Sequence, residues 1–218
     1  MEALHANIIN LQDKISLEEL DCYVEPEIRA DDPDLTATLA QLNVPVSASI
    51  TYEFGDSREI LDGNTIHNWI SLTQDNQILI DETQIASYIE GLAAKYDTYG
   101  IKRNFATSYG TTVQITRNQY GWKLDQETEK AKLLEDIKAG NVVTREPAFT
   151  KRGANFGEKD YGNTYVEINL TAQHLYLYKN GSLILETDFI SGDPSKGHAT
   201  PPGAFYVYSK ETDRTLRG

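Results

Sequence analysis

Residues 173–190 read QHLYLYKNGSLILETDFI, and this stretch decides the fold of the C-terminal part of the chain. From His174 to Lys179 apolar and polar positions alternate, the period of two of a half-buried strand. Asn180-Gly181 follows, the pair that most readily takes up a two-residue hairpin turn, and residues 183–190 return as a second strand. Upstream, YVEINL at residues 165–170 alternates in the same way, and downstream residues 204–208 predict a fourth strand. Between them runs SGDPSKGHATPPGAF, residues 191–205, a loop stiffened by Pro201-Pro202 and hinged by Gly197 and Gly203. The C-terminal part therefore predicts a β-meander.

Residues 151–162 are polar and glycine-rich without periodicity and predict a linker. Before them the signals mix. Asp32 can cap a helix whose first turn Pro33 presets, with Leu35, Leu39 and Leu42 as its apolar stripe and Asn43 as its stop. Residues 47–54 predict a strand and Asp62-Gly63 a turn; residues 65–72, with Trp69, predict a short helix and residues 78–80 a brief strand. Asp81 and Gln84 form a capping box ahead of a helix with Ile85, Tyr88, Ile89, Leu92 and Tyr96 on one face and Gly100 at its end. Residues 111–116 predict a strand, and Asp125 caps a second helix that carries Ala131, Leu134 and Ile137 and closes at Gly140. The fold class is α+β, a mixed α/β N-terminal domain followed by an all-β part. Glu-Pro recurs at residues 25–26 and 146–147, each time after a β-like stretch, which is the echo expected of a repeated domain and also an echo that chance produces.

The formal charge of −13 and the absence of a basic run exclude nucleic acid as a partner, since phosphate binding rests on clustered Lys and Arg. Cys22 is the one cysteine, so no internal disulfide forms, and no Cys or His stands near it at metal-ligand spacing. No metal and no cofactor is expected. No apolar run approaches the ~20 residues that span a bilayer. The start, MEALH, lacks the basic and apolar regions of a signal peptide, so export would need a targeting segment outside these residues.

A nucleophile with its base is not evident. Cys22 follows Glu18, Glu19 and Asp21, whose charge suppresses a thiolate, and it reads as a small buried apolar residue. There is no Gly-x-Ser-x-Gly elbow and no His-Glu-x-x-His helix. Asp31, Asp32 and Asp34 lack the glycine and distal glutamate of a calcium loop. His5, His67, His174 and His198 are scattered; His174 belongs to a strand face with Tyr176 and Tyr178, and His198 lies in the proline-rich loop. Of the aromatics, Trp69 reads as core. Tyr120-Gly121-Trp122, in a predicted turn, reads equally well as a sugar-stacking surface or as packing.

These residues carry a resemblance. YVEINL at 165–170, QHLYLYKNG at 173–181, Ser191-Gly192 and TPPGAFYV at 200–207 together resemble the first half of an L,D-transpeptidase catalytic domain of the YkuD type. DGNTI at 62–66, YGWKLD at 120–125 and IKAG at 137–140 resemble the peptidoglycan-binding domain that often precedes it in Gram-positive bacteria. The resemblance implies residues 1–47 as the tail of a preceding repeat with a connecting helix, 48–150 as the peptidoglycan-binding domain, 151–163 as the linker, and 164–218 as the incomplete, all-β first part of the catalytic domain.

It further implies acyl transfer between peptidoglycan stem peptides. A cysteine thiolate would attack the carbonyl between the third and fourth residues of a tetrapeptide, and an amine of a neighbouring stem would then take the acyl group. In the family that cysteine belongs to a Ser-His-Gly-Cys motif beyond the Thr-Pro-x-Gly loop; Ser195-Lys-Gly-His198 is not that motif, so no catalytic residue is carried over. His198, Thr200 and Pro201 are expected at the substrate cleft, and Tyr120 and Trp122 as substrate-binding aromatics. The expectation is a piece of a cell-wall L,D-transpeptidase, inactive alone, with a non-catalytic peptidoglycan-binding or spacer module as the alternative. Peptidoglycan is the expected partner. The location is expected to be extracellular, in the cell wall or anchored by a segment outside these residues to the outer face of a Gram-positive bacterium. A meander cut within its fold exposes strand edges and an apolar face, so the missing catalytic half or another chain is expected to pack there.

Overall fold

The computed structural model describes residues 32–213 and 215. The chain divides into two units, residues 1–42 and 43–218, each described by itself. Cys22, His5 and the first Glu-Pro of the echo lie outside the described residues.

Helix α1 (Pro33–Val46) starts as its sequence dictates, with Asp32 Oδ1 accepting the N–H of Asp34 at 2.8 Å and of Leu35 at 3.1 Å. Asn43 does not stop it. The helix runs on through Pro45, and Ser47 closes it, donating its N–H to the Asn43 carbonyl at 3.0 Å and its hydroxyl to that of Val44 at 2.7 Å. Leu35 and Leu39 of the expected stripe are exposed.

In the second unit the central strand is β1 (Ser49–Phe54). It pairs antiparallel with β2 (Ser57–Leu61) across a tight turn at Gly55, and parallel with β8 (Val142–Arg145). Alternation along β1 sends Ile50, Tyr52 and Phe54 inward. Residues 65–72 are not one helix: a short α2 (Gly63–Ile66) and a 3-10 turn carrying Trp69 lead into β3 (Ile70–Leu72), which pairs with β4 (Ile78–Ile80). Pairing within residues 70–80 wins there because alternating Ile and Leu can form a two-strand ladder.

Asp81 caps α3 (Glu82–Tyr96) by accepting the Thr83 N–H at 2.9 Å, and Ile85, Ile89, Leu92 and Ala93 form its buried stripe. The helix ends at Asp97 rather than at Gly100. Hairpin β5 (Arg103–Ala106) and β6 (Thr112–Ile115), then β7 (Lys123–Leu124), lead to α4 (Gln126–Ala139), whose left-handed cap is Gly140 at φ 66°. The buried face of α4 is Glu129, Leu133 and Ile137; Ile137 is buried as expected, while Leu133 and Glu129 stand one and two positions before the expected Leu134 and Ala131. Strand β9 (Phe149–Lys151) pairs with β7.

That rotation of α4 buries a charge. Glu129 is fully buried; its Oε1 accepts from Arg145 Nη2 at 2.6 Å and Nε at 3.2 Å, and its Oε2 accepts the Ala148 N–H at 2.8 Å. Arg145 also pairs with Asp136 and lies over the Tyr52 ring, 5.3 Å from its centroid. Burial first, and the Glu129 carboxylate second, hold the Tyr52 phenol far above its usual range.

Residues 151–163, read as a linker, are held down by packing. Phe156 stacks on Trp122 with centroids 4.0 Å apart, and Asp160 is buried. The C-terminal sheet has the expected order, β10 (Tyr165–Asn169), β11 (His174–Lys179) and β12 (Ser182–Asp188), with Asn180 and Gly181 both at positive φ in the hairpin. Tyr165, Glu167, His174, Tyr176 and Tyr178 share one face by register. Val166, Ile168 and Leu185 lie on the other and are 44–50% exposed. Residues 204–208 do not form a fourth strand in this sheet; Ala204 instead makes a single bridge to Asn118. No helix among the described residues is long and apolar enough to cross a membrane.

Glu129→Ala leaves the Ala148 N–H without an acceptor and Arg145 with Asp136 as its remaining partner, at a cost of about 1–3 kcal/mol. Urea unfolding of the variant is expected to show this loss, and a midpoint equal to the wild type would contradict the account.

Candidate functional site

Four buried or half-buried side chains build the surface on which the predicted residues sit. Asn118, 4% exposed, donates from Nδ2 to the carbonyls of Thr98 at 2.8 Å and Ile101 at 3.1 Å, which lays residues 97–101 along residues 118–122. The Trp122 carbonyl accepts the N–H groups of both Thr98 and Tyr99 at 3.0 Å. Asp160, 1% exposed, fixes the other side: Thr98 and Arg103 Nη1 both donate to it, Arg103 Nη2 reaches its Oδ2 at 2.8 Å, and the same Nη2 meets the Tyr120 carbonyl at 3.3 Å. Gly121 must be glycine. Its φ is +122°, and a Cβ there would stand 2.6 Å from Asp160 Oδ2.

The C-terminal segment docks on this turn. Gln119 N–H donates to the Ala204 carbonyl at 2.8 Å and Ala204 N–H to that of Arg117 at 3.0 Å. The Tyr206 hydroxyl donates to the Gly121 carbonyl at 2.6 Å and accepts the Gly121 N–H at 3.1 Å, and its ring lies 4.5 Å from that of Tyr120. Burial pushes the phenols of Tyr120 and Tyr206 up, so both remain protonated at neutral pH.

The loop before this segment is internally ordered. Asp193 caps a 3-10 turn by accepting the Ser195 N–H at 2.9 Å, and its carbonyl accepts the His198 N–H at 3.0 Å. Thr200 Oγ1 accepts the Gly192 N–H at 2.9 Å. A Cβ on Gly192 would meet the His198 carbonyl at 1.8 Å, so the loop closes on itself only with glycine there.

Each predicted residue can now be placed. His198, Thr200 and Pro201 lie on the exposed loop; Tyr120 is half-buried beside Tyr206. Trp122 is 5% exposed, packed between Phe149 and Phe156, with its indole N–H donated to the Asn155 carbonyl at 2.6 Å. The two groups are brought near through the chain that joins Pro202 to Tyr206. No hydrogen bond or ring contact joins His198, Thr200 or Pro201 to Tyr120 or Trp122 among the described residues. Tyr99 and Tyr206 belong to the same surface and were not singled out in the sequence; they lie 107 positions apart (206 − 99), which no periodicity can connect. Hydroxyls, a histidine and aromatic faces can hold a polar ligand. The described residues include no cysteine, so no thiolate chemistry arises among them.

A second contact ties the meander to the β5–β6 hairpin. Glu167, 7% exposed, accepts the Ser108 N–H at 3.1 Å on both oxygens, and the Ser108 hydroxyl lies 2.8 Å from that of Tyr178. Tyr165 stacks on Tyr178 at 4.9 Å and meets Phe105 edge-on at 5.9 Å.

The family model described as "L,D-transpeptidase catalytic domain" matches residues 163–218, and the one described as "Putative peptidoglycan binding domain" matches residues 28–144. A solved structure of the Ldtfm–avibactam carbamoyl enzyme is 31% identical, with a TM-score of 0.62, covering 84% of this chain and 71% of that one. A cysteine-to-serine mutant of the Enterococcus faecium L,D-transpeptidase is 30% identical, with a TM-score of 0.61, covering 83% and 71%. No curated protein matches.

Tyr206→Phe removes both bonds to Gly121 and is expected to destabilise the chain by about 1–2 kcal/mol. Thermal unfolding checks this, and an unchanged midpoint would mean that the C-terminal segment is not docked on the Tyr120 turn.

Proposed function

The chain belongs to the L,D-transpeptidase family, and from that premise we propose that it contributes two parts of a peptidoglycan cross-linking enzyme: a peptidoglycan-binding domain and one wall of the acyl-transfer cleft. The observation that carries this reading is the docking of residues 204–206 on the Tyr120 turn. It sets the loop of His198, Thr200 and Pro201 beside the domain that would hold the polymer. In this reading the loop borders the stem peptide, and its hydroxyl and imidazole give hydrogen-bonding partners to peptide groups.

The reaction is acyl transfer between stem peptides through a cysteine acyl-enzyme. Residues 163–218 contain no cysteine, and Cys22 belongs to the part of the chain outside the described residues, in an acidic stretch that disfavours its thiolate. In this reading none of the 218 residues is the reaction's nucleophile, and the chain by itself is expected to be inactive. The exposed Val166, Ile168 and Leu185 face is where the remainder of a catalytic domain, or another chain, packs. The site of action is the cell wall, outside the membrane of a Gram-positive bacterium.

A non-catalytic binding or spacer role is the second reading, favoured by the ordered surface of the first domain. One pair of measurements separates the readings. Incubation with a disaccharide-tetrapeptide and with a carbapenem is expected to give neither a dimer nor an adduct by intact mass, while the chain is retained on purified sacculi. Turnover through Cys22 would overturn the proposed inactivity. Failure to sediment with sacculi would leave only the spacer.

A further inference from the structure

The loop of His198 and Thr200 is tied down at its exit by uncharged groups, the Tyr206 phenol on Gly121 and the Ala204 backbone on Arg117 and Gln119. Its entry is held differently. Strand β12 lies at the edge of its sheet, hydrogen-bonded to β11 alone, and runs directly into residues 189–192. An edge strand exposed along its whole length has little packing to hold it, so its end depends on the contacts made there. Beyond the ladder itself, three contacts among the described residues fasten that end to the start of β11. The Phe189 N–H donates to the Gln173 carbonyl at 2.9 Å, Gln173 Nε2 donates to Ser191 Oγ at 3.4 Å, and the His174 imidazole meets Asp188 across the strands.

The last of these can carry charge. His174 stands between two carboxylates of β12, its Nδ1 2.7 Å from Asp188 Oδ1 and its Nε2 3.7 Å from Glu186 Oε2. Asp188 is its register partner, and Glu186, two positions earlier, shares the same face. The other neighbours are uncharged: the Tyr176 ring, which meets the imidazole edge-on at 4.7 Å, and Asn169, opposite on β10. Glu167, opposite Tyr176, is taken up by Ser108, and Lys196, the lysine of the loop, stands by Asp193 at 3.8 Å. A charged imidazole donates from both nitrogens and offsets one of its two carboxylates. A neutral one donates from a single nitrogen and leaves Glu186 and Asp188 repelling each other.

We propose that His174, Asp188 and Glu186 form a pH-sensitive clip, closed when the imidazole is charged, that fixes the entry of the His198 loop and loosens it when the imidazole is neutral. The hydrogen bond to Asp188 first, then the charges of Asp188 and Glu186, outweigh desolvation and hold the His174 pKa above the ordinary histidine value. With the folded-state pKa raised, the contribution of the clip is complete below the ordinary value and is lost as pH rises through the raised one. Burial pushes the Tyr206 phenol up, so the exit anchor keeps its proton over that range. The clip does not depend on what the loop borders. The reading of the loop as a cleft wall supplies only the consequence, a wall that is firmer in acid than in base.

The test is amide hydrogen exchange of the full chain between about pH 5.5 and about pH 8.5, corrected for intrinsic rates, with the His174 ring titrated by NMR. Ion pairs between exposed groups are weak, so protection of residues 187–192 is expected to fall about threefold across the His174 titration, while residues 204–206 keep theirs. His174→Gln is expected to abolish the fall. Asp188→Asn changes a 90% exposed side chain and leaves the fold intact; it is expected to lower the His174 titration point and to flatten the fall. A wild-type profile that is flat across the titration, or a fall that persists in both variants, would overturn the proposal. An equal fall at residues 204–206 would do the same, because it reports a change in the whole chain. Sacculus binding does not enter this readout, so the clip can fail while the proposed function stands.

Discussion

The buried carboxylate of Asp160 is the constraint on which the rest depends. A carboxylate taken out of water is costly unless every oxygen finds a donor, and here Arg103 and Thr98 supply them. The carbonyl of the same residue accepts the N–H groups of Ala154 at 2.7 Å and Asn155 at 3.1 Å, so the backbone around it is pinned as well. Because Arg103 also reaches the Tyr120 carbonyl, one ion pair sets the segment between the two matched regions against the turn that receives the C-terminal residues. Removing either partner would leave the other as an uncompensated charge in the interior.

From that pair the functional surface follows by contact. The turn at residues 118–122 receives Tyr206 through the Gly121 backbone, and only glycine at 121 lets that turn lie against Thr98 and Asp160. Glu167 makes a parallel attachment from the meander to Ser108. Both links are carboxylates buried between elements far apart in sequence; Asp160 ties the segment between the two matched regions to the domain matched as peptidoglycan-binding, and Glu167 ties the part matched as catalytic to that same domain.

Much of the fold was legible in the sequence because its signals are local. Alternation gave β10, β11 and the hairpin at Asn180-Gly181; caps gave the starts of α1, α3 and α4; the α3 stripe was read from Ile85, Ile89 and Leu92. What was not legible is non-local. Residues 151–163 look like a linker because they are polar, yet their polarity serves Arg103, which lies 57 positions before Asp160. Ile137 was read correctly on the α4 face, but the start of that face was misplaced because Glu129 counts as polar in any periodicity, and only Arg145 and the Ala148 N–H make its burial tolerable. Residues 204–208 alternate like a strand, but hydrogen bonds to residues 117–121 take them out of the sheet. Of the candidate site, the proline-rich loop and the Tyr120 turn were visible as motifs. Trp122 could not be assigned to core or surface until Phe149 and Phe156 were seen on either side of it.

The most direct measurement of the central claim is hydrogen–deuterium exchange on Asp160→Asn. If the Asp160 pair fixes the two regions together, amides of residues 98–101, 118–122, 153–156 and 204–206 lose protection as a group, while α3 and α4 exchange as in wild type. Loss confined to residues 153–160, with residues 204–206 still protected, would show that the C-terminal segment is held independently and would contradict the account.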